Sequence, residues 1–123
     1  MTYYCTFFLK SNDSRAASRI LSPDLLETIQ CDDLRSSASL ASAERLRAAG
    51  FVRRMDLPRY AWIFDSENAI GPGVWDPYPH VEWVLSRLKP GISLAAERAS
   101  GTETHLGFFW GGGGTGGGPF ISV

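Results

Sequence analysis

Thr2-Tyr-Tyr-Cys-Thr-Phe-Phe-Leu-Lys10 is the stretch that decides how this chain folds. Its side chains alternate with a period of two, the period of a β-strand. Tyr3, Cys5, Phe7 and Leu9 fall on one side, and Thr2, Tyr4, Thr6, Phe8 and Lys10 on the other. The first set is wholly apolar, and its aromatic members suit a pleated surface. A strand with such a face has to be covered by other elements. Ser11-Asn-Asp-Ser14 is a turn-forming stop after it.

Two further strands fit beside this one. Tyr60-Ala-Trp-Ile-Phe-Asp65, preceded by Pro58, is the second, and residues 104–110 are the third. In the third, Leu106, Phe108 and Trp110 alternate with His105, Gly107 and Phe109. Helical signals fill the intervals. Ser22 stands as an N-cap before Pro23, with Asp24 and Glu27 placed to favour the positive helix end and Leu25, Leu26 and Ile29 forming its buried stripe. Residues 39–49 read as a second helix, with Gly50 as its C′ residue. Asp76 and Pro77 open a third, in which Val81, Val84, Leu85 and Leu88 have the spacing of one apolar face. Pro90 and Gly91 stop it, and residues 92–99 form a short further helix ended by Gly101. Residues 32–37 and 68–74 read as loops. The expectation is an α+β fold: a small, mostly antiparallel sheet with helices packed on one face.

Composition narrows the function classes. The 123 residues are the length of one domain, so 1–123 is taken as a single unit. The apolar fraction of 44% is ordinary, and 12% of the residues are aromatic, including four Trp. A net charge of −1 gives no field that would draw nucleic acid, so no duplex DNA partner is expected. No apolar run approaches the roughly 20 residues of a membrane helix. No basic region and cleavage site flank the first strand, so a cytoplasmic protein with reduced thiols is expected.

The order of elements resembles the bacterial domain-of-unknown-function family 4279. The residues that carry this are the N-terminal strand and the helix opening with Ser22-Pro-Asp-Leu-Leu26. With them go Trp62-Ile-Phe-Asp-Ser66, His80-Val-Glu-Trp-Val-Leu-Ser-Arg-Leu-Lys-Pro90, and Gly107-Phe-Phe-Trp110 followed by a glycine-rich turn and Phe120-Ile-Ser122. Each is a packing pattern and not a catalytic signature, so the resemblance implies a fold and no activity. Two features differ from the family pattern. Residues 35–59 are longer and richer in Arg, and a C-terminal helix and strand after Phe120-Ile-Ser122 are not seen.

The segment at 111–118 is glycine except for Thr115 and is expected to be a flexible turn. It contains G-x-G-x-x-G at Gly111, Gly113 and Gly116. A dinucleotide fingerprint needs a helix opening directly afterwards, and Pro119-Phe-Ile-Ser-Val123 follows instead. With five residues after the tract, the sheet edge near Trp110 and Phe120 is expected to stand open to strand addition by a partner or a second copy.

No catalytic constellation is visible, and no catalytic residue is assigned. Cys5 lies on the apolar strand face and Cys31 precedes Asp32 and Asp33, so neither environment favours a thiolate. His80 and His105 stand apart from each other and from the cysteines, without metal-ligand spacing, so no metal and no cofactor are expected. His80 reads as a first-turn surface or packing residue and His105 as half-buried. Trp75, Tyr78 and Trp83 gather around a helix start and, with Trp110 and Phe120, are the candidate partner-binding residues. Arg45, Arg47, Arg53, Arg54 and Arg59 against Glu44 and Asp56 make the one local basic excess. The leading expectation is therefore a non-enzymatic protein-interaction domain of bacterial type, such as an immunity or partner-neutralising protein, monomeric or weakly dimeric. The alternative is a binder of, or enzyme on, a small anionic ligand, using Arg53, Arg54, Arg59 and His105.

Overall fold

A computed structural model describes residues 2–50, 58–71, 73, 74, 76–111 and 120–122. The alternating N-terminal stretch is β1, Thr2–Ser11, and it lies in the middle of a five-stranded sheet. On one side it pairs antiparallel with β3, Tyr60–Asp65, and on the other with β4, Glu103–Gly111. A short β2, Cys31–Asp33, continues the sheet beyond β3, and β5, Phe120–Ser122, continues it beyond β4. The order is β2-β3-β1-β4-β5, with every neighbouring pair antiparallel.

The register explains the central place of β1. Phe7 stands opposite Phe64 in β3 and Leu106 in β4, while Leu9 stands opposite Trp62 and Thr104. One face therefore collects Cys5, Phe7, Leu9, Trp62, Phe64 and Leu106, all buried. The Phe7 and Phe64 ring centroids are 5.3 Å apart, a favourable aromatic spacing.

Helices cover that face. Ala16, Ala17 and Ile20 of α1, Ala16–Ile20, are buried against it. Leu25 and Leu26 of α2, Pro23–Leu26, pack at its margin. Val81 and Val84 come from α5, Pro77–Ser86, and Leu94 from α6, Leu94–Ala99. Main-chain bonds clasp α1 and α2 to the end of α5: Ser22 N–H donates to Arg87 O at 2.7 Å and Lys89 N–H to Ile20 O at 2.8 Å. The fold is thus α+β, an antiparallel sheet whose core side is roofed by helices. On the other face Ile63, in the middle of β3, is 46% exposed.

Several local readings are corrected. Residues 32–37 are not all loop, because β2 takes up Asp32 and Asp33. A three-residue edge strand carrying two acids has no hydrophobic alternation to reveal it. The helix opened by Ser22 is a single turn, and the Ser22 hydroxyl is buried without a hydrogen-bond partner instead of capping it. The loop at 68–74 is shortened by α4, Glu67–Ile70. In and just after α5 the expected stripe holds at Val81, Val84 and Leu88, but Leu85 is exposed, and His80 and Trp83 join the core side in its place. The helix read at 39–49 is α3, Ser37–Ala48, capped by Ser36 and followed by Gly50 at φ +95°. No residue of α3 is buried. The edge of β4 is not open along its length, since β5 pairs with it at residues 105–107. The glycine tract at 112–118 lies outside the described residues.

Truncating the most central side chain should show where the core lies. Phe7→Ala is expected to lower unfolding free energy by about 3–5 kcal/mol in a urea titration, against under about 1 kcal/mol for Ile63→Ala on the other face. Equal losses would contradict the one-sided core.

Candidate functional site

The strongest chemical constellation is a buried Ser–His pair at the end of β3. Ser66 follows the last residue of that strand, and His80 lies one turn into α5. Asp76 caps α5 by accepting from Tyr78 N–H at 3.0 Å, and Pro77 sets its first turn, so His80 points back toward the sheet. Ser66 Oγ lies 2.7 Å from His80 Nδ1, and His80 Nε2 lies 2.9 Å from the Val74 carbonyl. A carbonyl only accepts, so Nε2 carries a hydrogen. In the neutral ring Nδ1 then accepts from the Ser66 hydroxyl, whose oxygen accepts Cys5 N–H at 3.0 Å. The edge of the Tyr3 ring closes against the imidazole at a centroid distance of 5.0 Å.

A hydroxyl 2.7 Å from an imidazole has the spacing of a nucleophile and its base. Two features oppose that use. Both side chains are wholly buried, and the ring is oriented by a carbonyl and not by a carboxylate. Each polar group is satisfied within the protein, so the pair joins β1, β3 and α5 as a hydrogen-bonded knot. Sequence reading missed it. His80 and Val84 at i, i+4 were the available signal, hidden because histidine does not count as apolar in a stripe.

Neither thiol is activated toward the thiolate, for separate reasons. Burial pushes the Cys5 thiol up to about 11. Cys31 is exposed on the edge strand, and its thiol is raised by desolvation first and then by Asp32 and Asp33. Among the described residues no three of His, Cys, Asp and Glu converge on a point that would hold a metal ion.

The candidate partner-binding residues divide. Tyr78 and Trp110 are 65% and 41% exposed, the two exposed aromatic side chains among the described residues. They belong to one end of the molecule. Trp110 is the register partner of Tyr3, whose ring meets His80, two positions along α5 from Tyr78. Trp83 instead packs edge-on to Phe64 at 6.2 Å, with the Arg87 guanidinium 5.2 Å over its ring. Phe120 is paired through its backbone with Gly107, three positions in from Trp110. Trp75 lies outside the described residues.

Of the candidate anion-binding residues, the two that are described, Arg59 and His105, do not come together. Arg59 is engaged twice by Asp33, through Nε at 3.3 Å and Nη2 at 3.1 Å, and its guanidinium lies 5.1 Å over the Tyr60 ring. That bond to Arg59, followed by Arg35 N–H, holds the Asp33 carboxyl below its ordinary range. His105 is half-buried in β4, 3.9 Å from Glu103 and separated from Arg59 by β1. Arg45 and Arg47 lie exposed on α3. Arg53 and Arg54 lie outside the described residues.

Comparison with protein-family models, with curated proteins and with solved structures gave no match. Among the described residues no helix is long and apolar enough to cross a membrane.

Two measurements check this description. Native iodoacetamide treatment should modify Cys31 and leave Cys5 unmodified until the chain unfolds. Rapid native labelling of Cys5 would place the inward face of β1 wrongly. His80→Ala should cost about 3 kcal/mol or more, because it opens a cavity and strands the Ser66 hydroxyl and the Val74 carbonyl. A cost within about 0.5 kcal/mol in a denaturant titration would contradict the knot.

Proposed function

We propose that this chain is a non-enzymatic protein-interaction domain whose partner docks at the end of the sheet marked by Tyr78 and Trp110. The observation that carries the reading is that exposed pair. Both exposed aromatic residues of the described structure stand at the same end, around the sealed Tyr3–His80–Ser66 contact. Tyr and Trp are the residues that most often anchor protein interfaces, because each covers a large area with few rotatable bonds and keeps a polar handle. A rigid support makes such anchors effective, and here both rise from elements tied together by buried hydrogen bonds. The resemblance to the bacterial family 4279 supports a bacterial origin, and the lack of a basic region and cleavage site beside the first strand supports a cytoplasmic setting. Neutralisation of a partner, as by an immunity protein, is one form that such an interaction takes.

The anionic-ligand reading draws less support, since Asp33 already occupies the Arg59 guanidinium.

Affinity capture from the native host tests the proposal, with wild type and the Tyr78→Ala/Trp110→Ala double variant compared side by side. Both positions are exposed, so the variant should keep its circular dichroism and melting temperature. It should lose the specifically captured protein by more than about tenfold. Undiminished capture by a folded double variant would place the docking surface elsewhere.

A further inference from the structure

Beyond that surface, a second feature stands at the opposite end of β1. A cleft of about 570 Å³ opens there, lined by Ser11, Asn12, Asp13, Arg19, Glu97 and Thr102 among others. Its volume is within the range of small-molecule sites. Its lining includes a hydroxyl pair, Ser11 Oγ and Thr102 Oγ1, 3.0 Å apart and only 3% and 2% exposed by residue. Ser11 Oγ also accepts Asp13 N–H at 3.1 Å.

The hydrogen count at this pair does not close. Two hydroxyls bring two hydrogens, and the contact between them uses one. If Ser11 donates, the Thr102 hydrogen is left over; if Thr102 donates, the Ser11 hydrogen is. Among the described residues neither has another acceptor. A buried O–H without an acceptor costs on the order of 1–3 kcal/mol, and an acceptor arriving from the cleft would recover that.

The rest of the lining says which acceptor fits. The Arg19 guanidinium bonds Glu97 through Nε at 3.2 Å and Nη2 at 3.1 Å, and Asp13 through Nη1 at 2.6 Å. Three of its five N–H groups are thereby used, leaving two. Asn12 Oδ1 accepts Arg59 N–H at 2.9 Å, so the Asn12 amide retains its NH₂ donors. Each carboxylate oxygen of Asp13 and Glu97 keeps further acceptor capacity. The cleft therefore offers donors and acceptors together, with one positive charge against two negative ones. That balance disfavours an anion, and the donors in the lining disfavour a bare cation. A neutral molecule with several hydroxyl groups matches both halves, since each hydroxyl both donates and accepts. We propose that this cleft binds a small neutral polyol of the size and chemistry of a monosaccharide, with the Ser11–Thr102 pair donating to one of its oxygens.

The test is a titration of the whole isotope-labelled protein with D-glucose, D-galactose, myo-inositol and inorganic phosphate, followed by amide chemical shifts. At least one polyol should produce saturable shifts confined to Ser11, Asn12, Asp13, Glu97 and Thr102, with a dissociation constant on the order of millimolar. Removing both hydroxyls together in Ser11→Ala/Thr102→Val should weaken that polyol by about tenfold or more while the chain stays folded. Asn12→Asp keeps the acceptor for Arg59 N–H, removes the amide donors and should also weaken binding, which decides the matter if the double variant does not fold. No saturable shift, shifts that map elsewhere, unchanged affinity in a folded variant, or phosphate binding more tightly than every polyol would each overturn the proposal.

Discussion

The Cys5 N–H must find an acceptor at the point where β3 stops running beside β1, and the rest of the molecule is arranged around how it does so. The ladder between the two strands ends with Thr6 opposite Asp65. One step further, Ser66 N–H still donates to the Cys5 carbonyl at 3.0 Å, as a strand residue would. The return bond is different: Cys5 N–H goes to the Ser66 side chain. A hydroxyl has replaced the main-chain carbonyl, which frees the backbone after Ser66 to turn into α4. The same oxygen holds its hydrogen toward His80, and that ring reaches the Val74 carbonyl. One serine thus ends a strand, starts a turn and fixes α5 on the sheet. Its neighbours could not substitute for it, because an unpaired N–H at a wholly buried position is costly.

From this tie the two ends of β1 acquire different characters. At its beginning, Tyr3 lies against His80 and beside Trp110, and the α5 turn lifts Tyr78 into solvent. At its end, Ser11 meets Thr102, and the Asp13–Arg19–Glu97 ion pairs bind α1 to α6. Eight residue steps of extended chain run from Tyr3 to Ser11, roughly 27 Å at strand rise. An aromatic surface suited to a protein and a polar cleft suited to a small molecule are therefore held apart by one rigid strand. Between them the core is the same stripe of Cys5, Phe7 and Leu9.

The major strands were legible because their chemistry is periodic. Residues 2–10 alternate, while 60–65 show as an apolar, aromatic-rich run after Pro58, and both are strands that pair on each side. The end of α3 was legible from Gly50, whose positive φ suits a residue without a side chain. What was not legible had no period to show. Three residues of β2, five of α1 and four of α4 are too short for one, and they form because neighbours pair or pack with them. The α5 stripe was legible at Val81, Val84 and Leu88 but not at His80, a polar side chain whose burial only its Ser66 and Val74 partners make tolerable. The Ser11–Thr102 pair was equally hidden, as its two members stand 91 residues apart. The exposed candidates fared unevenly: Tyr78 and Trp110 reach solvent, whereas Trp83 is drawn onto the core beside Phe64.

Hydrogen exchange at the amide of Cys5 tests the central tie most directly. In the wild type this N–H should exchange only through global unfolding, as slowly as the amides of Phe7 and Leu9. In Ser66→Ala, which removes the acceptor and leaves the main chain in place, Cys5 exchange should accelerate by about tenfold or more relative to Phe7 measured in the same sample. If the Cys5 amide stays as protected as Phe7 in that variant, the serine hydroxyl is not what ends the ladder, and the account of how β3, α4 and α5 are joined to β1 is contradicted.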